Sequence, residues 1–239
     1  MSFEITDRVS RGTLARTTGG LYLAFMAMSV LADALGHIGL GDARQIYGSI
    51  TTNLGSFRLG LVAALVSAFL FLLAAWGLYV LLRPVNRELA LLFLLLNAAG
   101  VAVQCASLLQ LVPAMNLATD PQVLPAASAE ALALGSITTY RMGFVAAQLF
   151  YGTWLFPLGH LVLKSGFLPR FLGVLLFLDG IGEMIWFLQS FLLPAYPAIR
   201  VPGTAASLLA EVGLSLWLVI RGVKTTTTAS GRVPEASLR

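Results

Sequence analysis

Six long apolar runs constrain this chain more than any motif within it. They cover residues 17–40, 59–82, 89–111, 137–163, 171–193 and 205–220, most of them near or above the roughly 20 residues a helix needs to cross a bilayer. The expected fold is all-α, a polytopic bundle of six transmembrane helices. Composition agrees: of 239 residues, 58% are hydrophobic and 11% are charged, and mean hydropathy is +0.85, whereas soluble domains carry roughly 25% charged residues. A soluble enzyme is excluded on that ground. The net charge of +4 and pI near 9.6 do not signal nucleic acid, because the basic residues are scattered through connections and form no dense patch.

The chain divides into a polar, basic segment over 1–16, a transmembrane domain over 17–221, and a polar tail over 222–239 that reads as a mobile extension. Ala32, Asp33 and Ala34 imitate a signal-peptide cleavage site. The first run is too long for that role and reads as a retained helix. Two connections, 83–88 and 164–170, are short turns containing Pro84 and Pro169, so the helices they join are expected to be antiparallel neighbours. Connections 41–58 and 112–136 are longer, with a short surface helix expected over 126–134 after Pro125. The lone cysteine, Cys105, reads as a packing residue.

Orientation follows from the basic residues. Arg8, Arg11 and Arg16, Arg83 and Arg87, Lys164 and Arg170, and Arg221, Lys224, Arg232 and Arg239 fall on one side. Against them stand Arg44, Arg58 and Arg200, with Arg141 at the start of the fourth run. The positive-inside rule then places both termini in the cytoplasm, in a cytoplasmic membrane. The two hairpins share a weak basic–proline–basic pattern, but the loop lengths do not fit an inverted three-plus-three repeat.

Ionisable groups inside such runs cost roughly 2.5 to 3.5 kcal/mol each on insertion scales, so they normally face a bundle interior. Asp33 and His37 lie in the first run, Arg141 and His160 in the fourth, Asp179 and Glu183 in the fifth, and Glu211 in the sixth; Asn97, Gln104, Gln110, Gln148 and Gln189 can bond with them. Depth, counted at about 1.5 Å per residue, gathers most of them in the outer half. His160 falls at the inner end. Asp33 with His37, and Asp179 with Glu183, have i, i+4 spacing and are expected to share helix faces. Two carboxylates at low dielectric do not both ionise cheaply, which sets a proton donor beside a base. Asp179 and Glu183 are therefore the candidate general acid and base. Tyr151, Trp154, Trp186, Phe187 and Trp217 are candidates to line an apolar cavity, although core packing or interfacial anchoring is the commoner role.

The two histidines fall at opposite ends, which excludes a three-histidine zinc site. No metal or other cofactor is expected, and there is no phosphate loop, nucleophile elbow or HExxH.

Four motifs are distinctive in combination: Ser56-Phe57-Arg58-Leu59-Gly60, the turn around Arg83-Pro84-Val85-Asn86-Arg87-Glu88, the turn Lys164-Ser165-Gly166-Phe167-Leu168-Pro169-Arg170, and the closing segment from Glu211 to Lys224. The chain resembles, over about residues 14–224, the bacterial integral membrane family called domain of unknown function 4386. The resemblance implies six helices, marks Arg58, Tyr140 and Glu211 as characteristic positions, and brings no established activity. His160 replaces an expected aromatic residue, and Asp179, Gly182 and Glu183 make the fifth run more polar than the family pattern.

The expected function is a membrane protein whose outer-half pocket holds a small amphipathic or lipid-like ligand. The residues expected to bind it are Asp33, His37, Arg58, Gln104, Tyr140, Arg141, Gln148, Trp186 and Glu211, with Arg58 or Arg141 paired to Glu211. One alternative is a membrane enzyme in which Asp179 or Glu183 protonates an apolar, isoprenoid-like substrate, as terpene cyclases do. Another is a proton-coupled transporter with Asp33, Glu183 and Glu211 as a relay; the fourth is a purely structural polar core. A chamber open sideways to lipid favours binder or enzyme, and polar access from both faces favours transport.

Overall fold

A computed structural model describes residues 10–119 and 125–223. The expectations resting on Arg8 and on the tail from Lys224 onward lie outside them. Among the described residues the fold is all-helical. Helix α1 (Arg11–Gly36) starts six residues before its apolar run because the Ser10 hydroxyl accepts from the Thr13 N–H at 3.1 Å, satisfying a donor that the helix leaves open. It stops short of Leu40. His37 adopts φ 54°, left-handed, and caps the helix, so the expected continuous helix over 17–40 is corrected by one turn.

The connection over 41–58 contains α2 (Ala43–Thr52), opened by a capping box in which Asp42 and Gln45 bond each other's backbone N–H groups. The pair Ile46 and Ile50, one helical turn apart, is fully buried and docks α2 on the bundle. Helix α3 (Leu54–Leu82) follows, with Asn53 as its cap. The turn at Pro84 leads to Asn86, which caps α4 (Arg87–Leu108). A shorter helix, α5 (Leu111–Thr119), continues from it.

Helix α6 (Ala126–Ser165) is 40 residues long. The surface helix expected over 126–134 and the span expected from 137 are one rod, because no Gly-Pro or Pro break separates them. Pro125 precedes the first turn, where its ring is tolerated, and Gly166 at φ 71° ends the last. Helix α7 (Arg170–Leu192), a 3-10 turn at Pro197–Arg200 and α8 (Val201–Ile220) complete the fold.

The long helices close a ring in chain order, α1 on α3, α3 on α4, α4 on α6, α6 on α7, α7 on α8, and α8 back on α1. Both hairpins joined by short turns are indeed neighbouring pairs. The ring has a turn end, carrying the turns at Pro84 and Pro169, and a cap end, carrying α2 and α5. One core cluster, with Leu78, Phe93, Leu158 and Leu214, fills the turn end. A second, with Ile46, Phe57, Leu111 and Ile137, fills the cap end.

The outer surface of the ring is apolar: Leu95 is 58% exposed, Phe69 59% and Leu209 65%. A water-soluble protein does not leave so much contiguous hydrocarbon uncovered. Among the described residues five segments are long and apolar enough to cross a membrane: α1, α3, α4 with α5, α7, and the 3-10 turn with α8. Helix α6 is not among them, since Gln148, Thr153, Pro157 and His160 dilute its apolar stretch.

Candidate functional site

Between the two core clusters the ring encloses a cavity of about 650 Å³, bounded by α1, α3, α4, α6, α7 and α8. Close helix contact elsewhere explains why the space lies here. At the turn end α1 meets α8 at Gly19, where a Cβ would stand 2.8 Å from the Ser215 carbonyl. Helix α6 meets α7 through Gly159 and Gly173 with comparable closeness. Above that level Phe25 of α1, Phe71 of α3 and Tyr151 and Trp154 of α6 fill the middle of the ring with bulky rings, while α7 and α8 stay close through Gly182 and Gly203.

Those rings form the floor. Phe25 and Phe71 stack with centroids 4.4 Å apart, and Trp154 meets Phe71 edge-on at 5.2 Å. Tyr22 and Tyr151 complete the layer, with ring centroids 5.7 and 5.3 Å from that of Phe71. Below it the turn-end core is packed. Toward the side, the walls include Met26 and Val30 of α1 and Leu208 and Val212 of α8. Val30 is 69% exposed, Leu208 65% and Leu40 76%, so the lining reaches the apolar surface of the bundle between α1 and α8 and also the α1–α2 connection at the cap end.

Polar groups are set into this apolar chamber. Glu211 of α8 accepts the Tyr22 hydroxyl at 3.0 Å. Glu183 of α7 accepts the Ser207 hydroxyl through Oε1 at 3.3 Å, while its Oε2 is enclosed and has no hydrogen-bond partner. Asp33 accepts the Leu40 N–H at 3.2 Å. Gln104 accepts the Tyr151 hydroxyl at 2.6 Å, and the hydroxyls of Ser29 and Ser67 bond across α1 and α3 at 2.8 Å. Gln148 and Tyr140, both buried, and Trp186 also line the chamber.

The remaining expected residues lie elsewhere. His37 is exposed, and its Nδ1 is 2.8 Å from the Ser49 hydroxyl of α2; the left-handed cap turns it away from Asp33, so these two do not share a helix face. Arg58 is exposed in the first turns of α3, outside the cavity. The partner of Glu211 is Tyr22, where an arginine was expected. Arg141 lines a smaller cavity of about 150 Å³ that shares Tyr140, Phe144 and Trp186 with the larger one. Asp179 is fully buried behind the wall, with neither carboxyl oxygen bonded. His160 is exposed toward the turn end. Among the described residues no group of three or more His, Cys, Asp or Glu side chains is placed to hold a metal ion.

Sequence reasoning missed Tyr22 and Ser207. Tyr22 had little signal, since six residues after Arg16 it reads as an ordinary interfacial tyrosine. Ser207 had none. Arg200, read as a loop charge, places its guanidinium 5.5 Å from the centroid of the Trp186 ring, within cation-π range.

The exposed apolar surface and the five long apolar segments define a multi-pass helical membrane protein. The chain belongs to the family described as domain of unknown function 4386, which matches residues 17–222. A relative from Archaeoglobus fulgidus, described as an uncharacterized protein, is 26% identical over 178 residues, covering 71% of this chain and 90% of the relative. No solved structure matches the chain significantly.

Proposed function

We propose that this protein crosses the bacterial cytoplasmic membrane six times, with both termini in the cytoplasm, and holds a small amphipathic or lipid-like molecule in its cavity. The observation that carries this reading is the chamber's sideways opening between α1 and α8. Its volume, about 650 Å³, falls in the ~300–1,000 Å³ range of small-molecule sites. Its opening faces the surface that lipid tails would touch, and its mouth is built from Met26, Val30 and Leu208. Support for α6 as the sixth crossing comes from the ring: α6 runs from the cap end to the turn before α7, packed between α4 and α7. Its polar residues, Gln148 and Tyr151, face the chamber.

A second reading is favoured by the unpartnered Oε2 of Glu183. In a cavity that Tyr151 and Trp154 also line, a carboxylic acid at Glu183 would protonate an apolar, isoprenoid-like substrate once its side chain turned to it, and the rings would stabilise a developing cation. Within that reading Glu183 replaces Asp179 as the acid, since Asp179 does not reach the cavity. A proton-coupled relay through Asp33, Glu183 and Glu211 draws no support, because the turn end below the aromatic floor is filled by packed side chains.

The test is native purification followed by mass spectrometry of bound lipids and isoprenoids, on wild type, Glu183→Gln and Glu211→Gln. A recurrent amphiphile in wild type that is depleted in the variants is the expected result. An empty wild type, or unchanged lipid content in both variants, overturns the reading.

A further inference from the structure

The ionisable side chains that line the chamber are all acidic. Asp33, Glu183 and Glu211 line it, and no Lys, Arg or His does. Arg141 and Arg200 belong to the adjoining smaller cavity. Each acid is met only by a neutral donor: the Leu40 N–H, the Ser207 hydroxyl and the Tyr22 hydroxyl. One of these oxygens, Oε2 of Glu183, is enclosed without any partner although the cavity lies beside it. A charge in such a place is costly unless an opposite charge meets it. Among the described residues no cation lines the chamber itself; Arg200 lies over the Trp186 ring from the adjoining cavity.

The rings have a matching preference. Phe71, Tyr151 and Trp154 line the same space as the acids, and aromatic faces attract ammonium groups, by ~2 kcal/mol or more when water is excluded. Acid and aromatic walls therefore act in the same sense. We propose that the chamber selects cationic amphiphiles, molecules with an amine or quaternary ammonium on an apolar body, and seats the cation against Glu183 and Glu211. The opening between α1 and α8 admits them from the apolar surface. This inference rests on the amphiphile-binding reading and adds a sign of charge to it.

Two probes of nearly the same size and shape and opposite charge test it: tetraphenylphosphonium and tetraphenylborate. Binding is followed on the purified full chain in detergent by quenching of tryptophan fluorescence and by thermal unfolding. The phosphonium is expected to bind saturably and to raise the unfolding temperature, with the borate weaker by about tenfold or more, a difference of ~1.4 kcal/mol. Glu183→Gln is expected to lower phosphonium affinity about tenfold, and Glu183→Asp, which keeps the charge and controls for folding, to retain the preference over borate. Equal or tighter borate binding, or an unchanged preference in both Glu183→Gln and Glu211→Gln, overturns the charge assignment while leaving amphiphile binding intact. Failure of both probes, with lipid still co-purifying, also rejects the cation and spares the broader reading. Failure of both probes with no co-purifying lipid rejects the two together.

Discussion

The Tyr22 hydroxyl donates a hydrogen bond to Glu211 Oε1 at 3.0 Å, joining the first long helix to the last across 189 positions of sequence. It closes the α1–α8 seam just below the opening of the cavity. Tyr22→Phe leaves a carboxyl oxygen without its donor, and a lost partner of this kind costs about 1–3 kcal/mol. Thermal unfolding in detergent is expected to show that loss. In a double-mutant cycle, Glu211→Gln in the Tyr22→Phe background is expected to cost less than it does alone.

The seam between α7 and α8 depends on Gly182 and Gly203. A Cβ on Gly182 would stand 2.6 Å from the Gly203 Cα, and the reverse contact is 2.7 Å. Backbone cannot yield as a side chain does, so Gly182→Ala is expected to destabilise by about 1–3 kcal/mol, the usual range for overpacking. Gly20 supplies the control: a Cβ there meets nothing within 4 Å. Replacing it by Ala is expected to be neutral or stabilising by up to ~1 kcal/mol from helix propensity.

Leu208 stands at the mouth of the chamber, 65% exposed. Leu208→Trp is expected to narrow the gap between α1 and α8 without touching a buried polar group. Stopped-flow quenching is then expected to show slower uptake and release of the bound probe, with the unfolding temperature of the empty protein unchanged. Unaltered rates would place the access route elsewhere.

His37 lies in the left-handed region at φ 54° and bonds Ser49, away from the chamber. Asn tolerates that conformation better than most residues. His37→Asn is therefore expected to change stability by no more than about 1 kcal/mol, a lost hydrogen bond offset by an easier backbone, and to leave lipid retention as in wild type. Retention that falls would return His37 to the site beside Asp33.

Membrane orientation is open to cysteine labelling. In a Cys105→Ser background, Thr52→Cys at the end of α2 and Ala127→Cys at the start of α6 are expected to react with an impermeant maleimide on intact cells. Lys164→Cys, at the other end of α6, is expected to react only after lysis. Labelling of Ala127→Cys and Lys164→Cys from the same side would mean that α6 does not cross.

Much of the architecture was legible without coordinates because its signals are local. Apolar runs set most of the helices and Pro84 and Pro169 marked the tight turns, whereas α2 stayed hidden inside the connection 41–58, because it is short and its signal is the capping pair Asp42 and Gln45 and not hydropathy. The join at residues 126–137 was hidden as well. Hydropathy falls there, but no proline interrupts residues 126–137 and the single Gly135 is tolerated within the helix, so its hydrogen bonding continues.

The apolar runs and the acids buried among them were thus determined by sequence alone: hydropathy and residue type belong to each position by itself. Which acid faces the cavity was decided only by tertiary structure. Asp179 and Glu183 are one turn apart, separated by about 40° of rotation and ~6 Å of rise. That small difference leaves Asp179 in packed surroundings and brings Glu183 to the chamber wall. The same holds for Glu211, whose partner is a tyrosine at the far end of the chain, because helix rotation and close approach between helices are settled by packing across the ring.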